Sequence, residues 1–533
     1  MSTQLSLNFD DKPNLRDRFR GSFVGAAVGD ALGFITEFVR DKSELREQTG
    51  QAALTNLVPW LRRTRFRGKY TIKLPLPAGA YSDDTQLTLA IARAIRADRS
   101  FDVESFAQCE LPLWIHYRLG AGVGTTLAAE NLARGRAKWY DNFYESSRSK
   151  YVNGGGNGAA MRILPLALVN YDDQMLLYRD VWRSTITTHG HLRALVGSLL
   201  MADSIALLLK NPSGKIAWLE ALIESCSRYY PNLADILQEV PEYSRWQKQW
   251  EEKSHLHFSD ELQSVRDETV KQLEFVKESL LKKTPVGTVL SRLGCYDRQT
   301  KGAGNSTVVA AAFFMCRAER FSEAVLSVVN EFGIDTDTIA YCVGAMFGVY
   351  YGSESIPLDL GEGILDLDYI LKTADWCYDV HQGSAVENSA FIYQNCDGPS
   401  FASSIASMLE SVPQSGAIVS FPVFGKGRVE SDVDLTPDWR TTHVHFLRFL
   451  LEQGQTFFLQ ITRPVPLEIS DAQSVVSSLA ALDGFKTRVE ASGFDGQVIA
   501  ETIRDMKFRL RDKALFNAFS TWLWAAMPDK RGR

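Results

Sequence analysis

From Leu15 to Phe38 the apolar positions Leu15, Phe19, Phe23, Ala26 and Ala27 recur at helical spacing. Gly21, Gly25, Gly29 and Gly33 fall four apart within the same run. Each glycine inside a helix costs about 1 kcal/mol against alanine. A stripe of four is therefore expected only where a second backbone packs close against it. The membrane-dimer reading of such a stripe fails, because Asp30 and Glu37 interrupt the apolar run. Gly344, Gly348 and Gly352 repeat the device far downstream. Two such helices predict a tightly packed, all-helical core.

Further helices are predicted at 83–97, 193–209 and 306–318, all rich in alanine and leucine. Between about 211 and 300 the chain turns polar, with amphipathic stretches such as 260–283, which reads as peripheral helices or an insertion. After about 395 the pattern changes. Residues 416–435 hold two strand-like runs joined by a Gly-Lys-Gly turn, 441–463 reads as helix, turn and strand, and 494–527 is helical again. The expected architecture is an all-α domain over 13–380 with the polar insertion at 211–300. An accessory α+β domain is expected over 400–533, with the boundary between 380 and 415.

With 533 residues the chain is long enough for two or three domains. A 45% apolar and 23% charged composition is that of an ordinary globular protein. The net charge of −6 gives no global reason to expect nucleic acid or a membrane as partner. The first 20 residues lack the apolar core of a signal peptide, and no stretch approaches the roughly 18–20 apolar residues of a membrane span. Seven scattered cysteines without CxxC spacing argue against a disulfide framework or zinc ribbon, and for reduced thiols in a cytoplasmic setting.

Two acidic clusters carry the chemistry. Asp335, Asp337 and Thr338 stand directly before one predicted helix, and Ser82, Asp83 and Asp84 before another. Helix capping explains one acid at each place, because Asp, Ser and Thr accept from free N–H groups there. It does not explain four. Were the fold to bring the clusters together, like charges about 4 Å apart would repel by several kcal/mol at intermediate dielectric. Divalent cations would remove that cost. An oxygen-only donor set favours magnesium or manganese over zinc, and two clusters suggest two ions. Glu37 is a fifth candidate acid, unless it is a solvated helix-end glutamate. Gly154, Gly155, Gly156, Asn157 and Gly158 form a loop able to bring backbone N–H groups to phosphate, or simply a linker. His189 and His191 do not share a helix face. His443 and His445 would share a strand face but have no obvious partner for a metal.

These pieces, in this order, resemble the ADP-ribosylglycohydrolase family over about residues 15–352. The matching stretches are GSFVGAAVGDALGFITEF, YSDDTQLTLAIARAI, NGGGNGAAMRILPLAL, TTHGHLRALVGSLL and FGIDTDTIAYCVGAMFGVYYG. The resemblance implies a compact all-α fold and a central cleft with two Mg2+ or Mn2+ ions. Ser82, Asp83 and Asp84 would hold one ion, Asp335 and Thr338 the other, and Asp337 both. Glu37 would lie beside them, with Glu37, Asp84 and Asp335 as catalytic candidates. The 154–158 loop would cradle diphosphate and ribose, and His189 would line the pocket. The implied reaction is hydrolysis of the glycosidic bond between ADP-ribose and a modified protein side chain or other acceptor. A non-catalytic ADP-ribose-binding relative and a two-metal nucleotide phosphohydrolase stay open as alternatives. The polar stretch at about 211–300 is longer than the compact family core needs, everything after about 395 lies outside the resemblance, and the accessory domain is a candidate for binding a partner.

Overall fold

The computed structural model describes residues 13–66, 70–386, 408, 411–421, 424–435, 442–464, 472–495, 497–499, 501–503, 519 and 522–523. It divides into two compact units, Met1–Arg463 and Pro464–Arg533. The first is mostly helical, with a small β-sheet region after residue 418.

Helix α1 (Leu15–Thr36) opens with Asn14 as its cap, whose side chain accepts from the Asp17 N–H. From Phe23 to Thr36 every residue is buried. A helix enclosed on all sides has no polar face to spare, which is why this stretch is small and apolar apart from Asp30 and Thr36. A hairpin follows, β1 (Trp60–Phe66) paired antiparallel with β2 (Tyr70–Leu76). Next come α2 (Asp83–Arg93), α3 (Leu192–Leu209), α4 (Tyr243–Ser254), α5 (Phe258–Leu281), α6 (Gly304–Arg317), α7 (Thr336–Tyr351) and α8 (Leu367–His381), with further helices between them. A four-stranded sheet follows in the order β3 (Ile418–Phe421), β4 (Gly425–Asp434), β5 (Thr442–Leu451), β6 (Thr456–Pro464). The second unit contains α9 (Ala472–Ala491).

The two glycine-striped helices are each other's partners. A Cβ placed on Gly344 would lie 2.0 Å from the Gly25 carbonyl oxygen, and one on Gly348 1.9 Å from that of Gly21. A Cβ on Gly29 would lie 2.1 Å from the Ala340 oxygen. No side chain fits between α1 and α7 at these points, so glycine is obligatory for the approach rather than for its dihedral freedom. The buried Arg18 guanidinium seals the far end. It donates to Val349 O (2.5 Å), Leu208 O (2.6 Å) and Leu209 O (3.2 Å), which are terminal carbonyls of α7 and α3. At the near end Thr36 and Thr336 hydroxyls meet at 3.1 Å, three hundred residues apart in sequence. The contact thus fixes the C-terminus of α1 against the N-terminus of α7.

Several expectations need correction. The hairpin β1–β2 lies in a region read as helical. Its cue is the alternation that buries Trp60, Ile72, Leu74 and Leu76 on one face. The first half of 441–463 is strand β5, not helix, with Val444, Phe446, Phe449 and Leu451 buried. Gly425-Lys426-Gly427 opens β4 instead of forming the turn before it. Helix α3 is long and apolar enough to cross a membrane by length and composition, contrary to the sequence reading, but it is buried in the bundle. Cys109 is disulfide-bonded, against the expectation of reduced thiols throughout, while Cys226, Cys295, Cys316, Cys342 and Cys377 are free. Most of the helix expected over 494–527, and the side chain of His443, lie outside the described residues.

Candidate active site

Helix starts position the acids. Ser82 is the N-cap of α2, its hydroxyl accepting from the Asp84 N–H at 3.2 Å. Asp335 occupies the N-cap place of α7, but its side chain accepts no N–H of that helix. It turns instead to accept from Asn157 Nδ2 at 2.9 Å. Asp83 Oδ1 likewise accepts from the Ala121 N–H of a different segment, at 2.8 Å. Helix-start N–H groups therefore account for the Ser82 hydroxyl and for Asp337, whose Oδ1 accepts from the Thr338 N–H at 2.9 Å, but not for Asp335 or Asp83.

Helices α2 and α7 meet at a 2.7 Å contact between the Thr88 and Tyr341 hydroxyls. This brings the two clusters together. Carboxylate oxygens of Glu37, Asp335 and Asp337 lie within 4.8 Å of one another. Asp84 sits beside Thr338, within the electrostatic field of Asp83 and Asp335. Asp83, Asp84 and Asp337 are buried, and Glu37 and Asp335 are partly exposed at the rim. Asp84 Oδ2 is buried with no hydrogen-bond partner, a costly state for a carboxylate oxygen unless something else satisfies it.

Electrostatics point the same way. Burial, and then the charge of Asp335, pushes the Glu37 carboxyl up to about 8. Burial pushes Asp83 up to about 7, with Asp30 adding repulsion. Asp84 and Asp337 are raised well above the usual range, first by burial and then by neighbouring carboxylates. Acids that resist ionising only because they crowd one another in a buried place are the natural ligands of a hard cation. The residues present, with the unpartnered Asp84 Oδ2 and an oxygen-only donor set, fit a hard divalent cation.

The glycine loop closes one side. Gly154, Gly155, Gly156, Asn157 and Gly158 run from a short turn at Tyr151–Asn153 to another at Ala160–Arg162. The Asn157 N–H donates to Gly302 O (2.8 Å), and the Gly304 N–H to Gly155 O (2.9 Å). Gly302 has φ +76°, and a Cβ there would meet Asp335 Oδ2 at 2.6 Å. His189 is buried next to this loop, its Nδ1 2.7 Å from the Thr188 hydroxyl. Burial and the Arg162 charge hold its ring near 3, so it is neutral. His191 caps α3, its Nδ1 accepting from the Arg193 N–H at 3.1 Å, and its backbone N–H donates to Gly154 O at 3.2 Å.

Several contributors escaped the sequence reading. Asp30 accepts from Ser82 N (3.0 Å), Thr85 N (3.0 Å) and Thr85 Oγ1 (2.6 Å), so it fixes the Ser82–Asp84 turn. Its signal was an acid inside a small-residue helix. Buried Arg162 donates to Gly158 O (2.9 Å), Ser184 O (2.6 Å) and Thr188 Oγ1 (2.8 Å), and so joins the glycine loop to the His189 segment. Arg62 on β1 lies over the Phe34 ring at 4.5 Å and in the field of Glu37, Asp83 and Asp337. Its signal was hidden in a run of arginines. The polar insertion also backs the pocket. Trp250 Nε1 donates to Gly190 O at 2.5 Å, and Trp246 Nε1 to the Tyr151 hydroxyl at 3.0 Å.

Comparison with known proteins bears on the family. The family model described as ADP-ribosylglycohydrolase matches residues 11–387. The chain is 33% identical over 180 residues to the ADP-ribosyl-[dinitrogen reductase] glycohydrolase of Rhodospirillum rubrum. That alignment takes in 34% of this chain and 53% of the other, so the chain spans about half the length of that relative. It is 25% identical over 326 residues to the ADP-ribosylhydrolase ARH3 of Gallus gallus, covering 55% of this chain and 82% of that one. A solved structure titled "ADP-ribosylglycohydrolase-related protein complex" aligns at 22% identity and TM-score 0.43, over 70% of this chain and 99% of that chain.

Proposed function

The chain belongs to the ADP-ribosylglycohydrolase family, and on that premise we propose that it hydrolyses the glycosidic bond between ADP-ribose and a modified acceptor. Two divalent cations, Mg2+ or Mn2+, would in this reading be held by Ser82, Asp83, Asp84, Asp335, Asp337 and Thr338. The observation that carries the reading is the convergence of acids some 250 residues apart, with the Asp335 side chain turned away from its own helix and Asp84 Oδ2 left without a partner.

Bound cations would supply positive charge that orients the ribose hydroxyls and lowers the pKa of water. The chain's own groups do the rest. Cleavage develops positive charge at the anomeric carbon and needs a positioned water and a base. Glu37 lies at the partly exposed rim, adjoining Asp335 and Asp337, where its carboxylate, once ionised, is placed to take a proton from water. Asp335 is kept in line by Asn157. The neutral His189 offers a ring edge and a hydrogen-bonding nitrogen without repelling or neutralising nearby acids. Gly154–Gly158 let a diphosphate approach the backbone where a side chain would obstruct it.

The test is the double variant Asp335→Asn with Asp337→Asn. It is expected to keep the fold by circular dichroism and to lose cation-dependent release of ADP-ribose from defined conjugates. Full activity in that variant refutes the site. Release of phosphate from ADP-ribose, in place of intact ADP-ribose from a conjugate, would assign a phosphohydrolase instead.

A further inference from the structure

The sheet after residue 418 lies beyond the 11–387 family match, yet its β5–β6 turn is built into the wall behind the acids. Asp366 is the joint. It is the N-cap residue of α8 and adopts a left-handed φ of +62°, and three donors converge on its carboxylate. Tyr81 Oη donates to Oδ2 at 2.7 Å, the Thr456 N–H to Oδ2 at 2.7 Å, and Thr456 Oγ1 to Oδ1 at 2.6 Å. Tyr81 directly precedes Ser82, and Tyr81 and Thr456 are both buried. The Leu365 N–H donates to Gly79 O at 3.1 Å, so the approach to the Ser82–Asp84 turn is held at two points.

The same turn reaches Asp83 by a second route. Phe457 stacks on Tyr117 with centroids 3.9 Å apart and planes 8° from parallel. The Tyr117 carbonyl accepts from Gln86 Nε2 (3.4 Å), and Gln86 Oε1 accepts from the Leu119 N–H (3.2 Å). That segment ends at Ala121, whose N–H holds Asp83 Oδ1. Between them Gln455 Oε1 accepts from Arg93 Nη1 at 3.0 Å, on the helix that begins with Asp83.

We infer that Asp366 and Thr456 are positioning residues for the Ser82–Asp83–Asp84 ligands, so that the post-family sheet sets cation affinity. The inference rests on the cation-binding reading of those acids. Groups that orient metal ligands from behind commonly change affinity ten- to a hundredfold when removed.

The test uses full-length protein stripped of metal and titrated with Mn2+, with free ion read by electron paramagnetic resonance. Thr456→Val and Tyr81→Phe are expected to weaken Mn2+ binding about tenfold. Tyr178→Phe removes a comparably buried hydrogen bond, 2.8 Å to Asp203, which none of the contacts above involve. It is expected to lower Tm while leaving Mn2+ affinity unchanged. Thr456→Val and Tyr81→Phe binding within twofold of wild type, or Tyr178→Phe weakening Mn2+ equally, overturns the inference. Wild type binding Mn2+ no better than the Asp335→Asn, Asp337→Asn double variant overturns the cation reading itself, and this inference with it.

Discussion

Asp203 sits midway along the apolar helix α3, where it accepts from Tyr178 Oη at 2.8 Å and Ser225 Oγ at 2.6 Å. Burial raises its carboxyl from 3.8 to about 6. A raised folded-state value means that the native state holds the proton more tightly than the unfolded chain does. Its stabilising contribution is therefore full below about pH 4 and is lost as pH climbs to 6, on the order of 3 kcal/mol in all. Asp203→Asn is expected to flatten the stability profile across that window, read from urea midpoints at pH 4, 5, 6 and 7. Single residues of this kind were the least legible part of the sequence. Asp335 could be singled out because it repeats the pattern of a second cluster. Arg162 and Asp366 could not, and Asp30 showed only as an acid among small residues, since each depends on partners more than 20 positions away, Ser184 and Thr188 for Arg162, Ser82 and Thr85 for Asp30, Tyr81 and Thr456 for Asp366.

Helices were legible wherever the pattern had a single reading. The glycine stripes foretold a close backbone approach, because nothing else compensates four glycines in one helix. Their pairing with each other came only from the structure, since spacing names no partner. Gly344→Ala would set a methyl group 2.0 Å from the Gly25 oxygen. It is expected to destabilise the first unit by about 3 kcal/mol or to abolish its folding. Gly484→Ala in α9 meets nothing within 4 Å and should instead stabilise its own unit by about 0.5–1 kcal/mol. Denaturant titration of the two variants reads the contrast. Strands were harder. In β5 the spacing of Phe446, Phe449 and Leu450 fits a helix as well as a strand, and ladder bonding to β4 decides it. The β1–β2 hairpin was obscured by its arginines, because a charge on each face blurs the alternation that marks a half-buried strand.

Across the whole molecule, the active site is where fold stability and function oppose each other. Without cations the raised carboxyls make the folded state more stable at low pH, and that stability is lost as pH rises through about 7 to 8, where Asp83 and Glu37 ionise. Cations compete with those same protons, so their stabilisation grows in the opposite direction. Mn2+ is expected to raise Tm more at pH 8.5 than at pH 6, and a chelator to reverse the difference; an equal shift at both values would speak against the acids as ligands. The acids themselves were legible in the sequence, but their enclosure by the hairpin, the insertion and the late sheet was not, because that arises from contacts between distant parts of the chain. The pairing of α1 with α7 also bears on biosynthesis. Thr36 meets Thr336 three hundred residues later, so at roughly 5–20 residues per second the first helix leaves the ribosome about 15–60 s before its partner. A glycine-rich helix cannot hold itself together for that long in water, and the nascent chain must reach its catalytic shape late, a vulnerability that a holdase chaperone would be suited to cover.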